Sequence, residues 1–249
     1  MTPEPTSDHA QPPLGEVGRI TGVFLDPKKA FADIAARPSW ILPVALLIVI
    51  ALTFVYTYST RVGWERYIRQ TMENNPRVQN LPADQRETQI QAGAKFAPIL
   101  GYAGAVVGTV LIILIVGGVM VLMCKMVGAS VTFKQMFAIS AWARLPGFLG
   151  GILAIVVMYT KDPEAFDLKN PLPFFNLGVV LEPPPPGSGK FLYTFATSID
   201  IFTIWSILLL AVGISVAARK VPFSKAVMLV GIPWIVWVLV ASGFAGMFG

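Results

Sequence analysis

Long apolar runs separated by short charged stretches organise the chain. Uncharged runs of 23, 29 and 24 residues lie between Arg37 and Arg61, between Lys95 and Lys125, and after Lys225. A formal charge is costly in hydrocarbon and a crossing helix needs roughly 20 apolar residues. These runs therefore predict membrane-spanning helices at about 40–59, 97–123 and 226–247. Two further runs carry a charge at or inside their limits. Between Arg144 and Lys161 only 16 residues are uncharged, which suffices if Arg144 snorkels at headgroup level and the span covers about 143–160. Between Lys190 and Arg219 only Asp200 interrupts, so a helix over about 195–217 would hold that carboxylate roughly two turns from one end. The expectation is an all-α membrane protein, a bundle of five transmembrane helices.

An odd number of spans puts the termini on opposite sides. The short segments at 124–142 and 218–224, with their flanks, carry Lys125, Lys134, Arg144, Arg219, Lys220 and Lys225 and no acid, whereas the long loops mix both signs. The positive-inside rule then places the N-terminus in the cytosol and the C-terminus outside. The first apolar run follows nearly 40 polar residues and is long enough to span, so no cleavable signal is expected.

The polar segments divide by local grammar. Residues 1–13 are Pro-rich and predict a disordered tail. Residues 14–39 form a cytosolic amphipathic segment. In it Val17, Ile20 and Phe24 recur at helical spacing, then Asp26-Pro27 supplies an N-cap and first-turn proline for a helix to about Arg37. Phe31 and Ile34 share a face there while Lys28 and Lys29 lie elsewhere, which suits a helix lying in the membrane interface near anionic headgroups or one packed across the bundle ends. Thr132 and Gln135 have capping-box spacing ahead of Phe133, Met136, Phe137 and Ile139, predicting a second interfacial helix. Of the two long outer loops, 60–96 reads as two amphipathic helices, and 161–194 is broken by prolines, including Pro183 to Pro186, into extended geometry. Residues 40–249 are the membrane domain.

Composition narrows the functional classes. Of 249 residues 55% are hydrophobic and 13% charged, about half the charged share of a soluble domain. The net charge of +5 is spread among apolar runs, which argues against nucleic acid as a partner. One cysteine, Cys124, and one histidine, His9, cannot build a disulfide framework, a cysteine-cluster metal site or a His-based triad within one chain. Gly187-Ser188-Gly189-Lys190 lacks the earlier glycine and the following Ser/Thr of a phosphate-binding loop. No nucleophile elbow or metalloprotease pattern occurs, so the expectation is a protein that is not an enzyme and needs no cofactor or metal.

Two ionisable residues are candidates for an intramembrane polar role. Asp200 is either a proton or cation site or a carboxylate satisfied by water, by the hydroxyls of Thr197, Ser198 or Thr203, or by a helix N-terminus. Arg144 is the one base that leans into the membrane, toward the opposite side. Gly104 with Gly108 and Gly147 with Gly151 are small-xxx-small pairs that fit helix packing within the chain or between copies.

Several ordered segments resemble a known family. They are Phe24-Leu25-Asp26-Pro27-Lys28-Lys29-Ala30-Phe31 with Arg37-Pro38-Ser39-Trp40, and Thr132-Phe133-Lys134-Gln135 leading to Leu145-Pro146. Asn170-Pro171-Leu172, Asn176-Leu177-Gly178 and Asp200 to Trp205 complete the set. Together they are similar to Yip membrane proteins, named for interaction with Ypt/Rab-type GTPases, in their bacterial form. The resemblance covers about residues 15–248. It implies five spans with a cytosolic N-terminus in the bacterial inner membrane, and a scaffold or adaptor role without established catalytic residues. The chain lacks the long N-terminal region through which eukaryotic relatives meet GTPases, so a GTPase partner is not expected. The partners expected are membrane lipid and this chain itself or other membrane proteins. The alternative is a small transporter or channel using Asp200.

Overall fold

The computed structural model describes residues 13–73, 78, 80–184 and 190–248. The predicted tail, apart from Pro13, lies outside them, as do Pro185, Pro186 and Gly187 to Gly189. Among the described residues the chain is helical, with one isolated bridge between Asn176 and Asp200 and no strand.

Helices α1 (Glu16–Leu25) and α2 (Pro27–Ala36) form a hairpin around one residue. The Asp26 N–H closes α1 on the Gly22 carbonyl, and its carboxylate accepts from the Lys29 N–H at 3.2 Å to cap α2, with Pro27 in the first turn. Helix α3 (Ile41–Thr57) continues through a π-turn over Tyr58–Val62 and stops at Gly63, whose φ of +86° is open to glycine. The amphipathic α4 (Trp64–Glu73) lies along α5 (Ala83–Ala103). Through a π-turn at Gly104–Gly108, α5 runs into α6 (Thr109–Met126). The expected loop helix and second span are thus one helical run of 44 residues that continues through Pro98. Gly128, at φ +72°, ends that run.

The capping box then forms as expected. Thr132 and Gln135 exchange bonds to start α7 (Phe133–Ala143), and Arg144 at φ −87°, ψ 0° joins it to α8 (Leu145–Thr160). The helix expected over about 143–160 therefore starts at Leu145. The loop after α8 holds three short 3-10 turns, followed by α9 (Phe191–Thr197), α10 (Ile201–Ala217) and α11 (Phe223–Phe248).

Helix α7 is the hub of the core. Met136, Ile139 and Trp142 have no exposure, and Met136 to Ala143 are all buried. Around α7 stand α6, α10 and α2, and two glycines allow their backbones to close in. A Cβ on Gly117 would lie 3.2 Å from the Phe137 Cα, and one on Gly213 would lie 2.3 Å from the Ile139 Cγ2. Phe31, also against Gly213, and Ile34 are fully buried in this cluster. Each such side chain contributes about 2–3 kcal/mol relative to exposure. The apolar faces of α2 and α7 meet each other and α10, which is the second of the two alternatives for α2, packing across the bundle ends. Lys28 and Lys29 remain exposed.

Away from this end, α3 and α8 run side by side. Gly151 abuts Ile50, and the Arg61 guanidinium caps the end of α8 by donating to the Met158 and Tyr159 carbonyls at 3.1 and 3.2 Å. Tyr58 packs inside, edge-on to Trp64 and beside Phe166. Large apolar side chains cover the outer surface, among them Val49, Leu111, Ile115, Leu122, Val156 and Trp237. Among the described residues four helical runs are long and apolar enough to cross a membrane: Ile41–Val62, Ala83–Met126, Phe133–Thr160 and Phe223–Met247. Helix α10, at 17 residues, is shorter.

Candidate functional site

The strongest polar constellation holds the α1–α2 hairpin to the core. Arg19, whose side chain is 6% exposed, projects from α1. Its Nε donates to Asp33 Oδ2 at 2.7 Å, one terminal nitrogen donates to Ser39 Oγ, and the other donates to the Arg37 carbonyl at 3.1 Å. Asp33 also pairs with Arg37 and accepts the Leu14 N–H at 3.3 Å. The Ser39 hydroxyl donates to Glu16 at 3.1 Å, and its carbonyl accepts the Trp142 indole N–H at 2.8 Å. Gln135 adds a bond to the Ala35 carbonyl at 3.1 Å. All three guanidinium nitrogens of Arg19 are occupied, so burying this charge is compensated. Sequence reading missed this clasp, although Arg19 and Asp33 carry charges toward the apolar sides of their helices.

The clasp fixes the inner side of the hairpin and leaves the outer side open. Val17 and Leu25 are 74% and 85% exposed. A shallow cleft of about 520 Å³ is lined by Leu14, Asp26, Lys28, Lys29, Asp33 and Arg37, and a smaller one beside it reaches Thr21 and Leu25. Charged side chains of both signs and apolar side chains thus share one surface.

Asp200 sits at a helix start. The uninterrupted helix expected over 195–217 breaks at Ser198–Asp200, where Asp200 is extended (φ −117°, ψ 159°) and Oδ1 accepts from the Phe202 and Thr203 N–H groups at 2.9 and 3.0 Å. The carboxylate competes with the preceding helix for backbone donors and wins as an N-cap. The Thr197 and Ser198 hydroxyls both turn back to the Thr194 carbonyl. The proline-rich loop hooks onto this break. Leu177 N–H bonds the Ile199 carbonyl at 3.1 Å, and buried Asn176 donates to Asn170 at 2.8 Å, which in turn donates to Tyr193 at 3.2 Å.

Arg144 and Asp200 are not brought together. No ion pair joins them, and the Arg144 side chain has no hydrogen-bond partner among the described residues. Of the four predicted packing glycines, Gly151 makes a close approach, whereas a Cβ on Gly104, Gly108 or Gly147 would meet nothing within 4 Å. Among the described residues no group of three His, Cys, Asp or Glu could hold a metal ion.

The Yip1 domain profile matches residues 21–245, from the middle of α1 to the last turn of α11. The chain belongs to the Yip1 domain family. It is also similar to membrane protein YknW of Bacillus subtilis strain 168, 29% identical over 231 residues, covering 92% of this chain and 90% of that protein. No solved structure matches it. The matched residues include α2, the α7 hub and the Asp200 break, while Glu16 and Arg19 precede them.

Proposed function

We propose that this Yip1-domain protein is a non-catalytic membrane adaptor with five crossings, its N-terminus in the cytosol and its C-terminus outside. The fifth crossing is the broken pair α9–α10, which together run along α11. Helix α10 packs on α11, and Gly246 of α11 abuts Phe191 at the start of α9. The unpaired cations Lys125, Lys134, Arg219, Lys220 and Lys225 gather near the hairpin end, which the positive-inside rule assigns to the cytosol.

The observation that carries the reading is the hairpin itself. Its inner side is held by a fully satisfied buried arginine, and its outer side presents Val17, Leu25, Lys28 and Lys29 as a preordered surface. A surface ordered before binding loses less entropy on association. The partner is this chain itself or another membrane protein. Asp200 gives the transport alternative no support, because its carboxylate is engaged as a cap. A photo-crosslinker placed at Leu25 in native membranes tests the reading. It should capture a discrete protein adduct that a crosslinker at Val49, on the lateral apolar face, does not. Lipid adducts alone at Leu25 would contradict it.

A further inference from the structure

We infer that Arg144, Ser140 and Gly147 form a binding site for the phosphate of an anionic phospholipid, at the junction of α7 and α8. The residues stand four and three apart, so they share one side of the helical path. Ser140 is 1% exposed and its Oγ has no hydrogen-bond partner. Serines within helices commonly bond back to the carbonyl four residues earlier, as Ser206 and Ser59 do here. Ser140 does not. One turn on, the half-buried Arg144 guanidinium also lacks a partner, whereas Arg19, Arg37, Arg61, Arg66 and Arg69 each donate to an acceptor. A further turn on, exposed Gly147 faces open space where any side chain would begin to fill the approach.

A buried hydroxyl left unpaired is costly, and one ligand bearing anionic oxygens satisfies it together with the open guanidinium. Arginine presents a planar fork of donors that fits phosphate oxygens two at a time, and the hydroxyl supplies a third donor. The location selects lipid as the source of the phosphate. Arg144 begins α8, which runs beside α3, and neighbouring Trp142 bonds to Ser39 just before α3 starts. The site therefore lies where membrane helices begin, at the depth of headgroups, with apolar Ile41 and Leu153 exposed on the helices that rise from it. The inference holds whichever side the termini occupy and whether or not the hairpin recruits a protein.

The test uses the full chain in a maltoside detergent, whose headgroup carries no phosphate, with and without added phosphatidylglycerol, followed by thermal unfolding. Phosphatidylglycerol should raise the Tm of the unsubstituted protein by at least ~3 °C. Arg144→Gln should abolish the rise, Ser140→Ala should roughly halve it, and the double variant Lys28→Gln, Lys29→Gln should keep it. Arg144→Lys, which preserves the charge without the fork, should keep less than half and serves if Arg144→Gln does not fold. An undiminished rise in Arg144→Gln or Arg144→Lys would overturn the site. So would a full rise produced in the detergent by inorganic phosphate alone, which would assign the pair to a free oxyanion instead of a lipid.

Discussion

The indole N–H of Trp142 donates to the carbonyl of Ser39 across 103 residues of chain, at 2.8 Å. That bond ties the hub helix α7 to the linker between the hairpin and α3. The same Ser39 receives Arg19 on its hydroxyl, so one residue joins the clasp to the core. Trp142→Phe keeps most of the ring and strands the Ser39 carbonyl. It should lower stability by about 1–3 kcal/mol, read as a fall in Tm in detergent, with Trp40→Phe on the exposed edge as the control.

Breaking the clasp from the other side should cost more. Arg19→Met takes a donor from the Ser39 hydroxyl and the Arg37 carbonyl and leaves Asp33 with Arg37 and the Leu14 N–H; loss of one partner from a buried pair costs about 3–5 kcal/mol. Arg69→Met removes an exposed pair with Glu87 and Glu65 and should cost under about 1 kcal/mol. Denaturant unfolding of the two variants side by side checks the contrast.

The glycines divide into two kinds by what a methyl group would meet. Gly213→Ala drives a Cβ to 2.3 Å from Ile139 Cγ2 and should destabilise by about 1–3 kcal/mol. Gly104→Ala and Gly108→Ala meet nothing and should leave the stability of the monomer unchanged or slightly raised. If those two also reduce crosslinking between copies, they mark a contact between chains.

For Asp200, capping and transport predict different outcomes. Asp200→Asn retains an acceptor oxygen and should keep near-native stability, while Asp200→Ala should lose about 1 kcal/mol. Liposomes loaded with a pH-sensitive dye should show no flux with the unsubstituted protein or with either variant. Flux that disappears in Asp200→Asn would restore the transport alternative.

Much of the helical layout was legible from the sequence. Asp26-Pro27 and Thr132 with Gln135 cap helices through side-chain bonds made within four residues, and such local chemistry is written in local spacing. What a helix face packs against is not. Phe31 and Ile34 read equally as a lipid-facing stripe or a core stripe, and only Gly213, far along the chain, makes room for α2 and α7 to close on α10. Asp200 misled for the opposite reason. A charge-interval count treats a carboxylate as an interruption within a span, whereas its side chain starts a new helix and ends the previous one. Arg19 was invisible because its three acceptors come from α2 and the linker to α3.

Compartment-specific labelling of single cysteines tests the central claim of five crossings with a cytosolic hairpin. In a Cys124→Ser background, Lys29→Cys and Gly249→Cys are exposed to a membrane-impermeant maleimide in intact cells and after permeabilisation. The account predicts that Gly249→Cys labels in intact cells and Lys29→Cys only after permeabilisation. Labelling of both positions from the same side would contradict it.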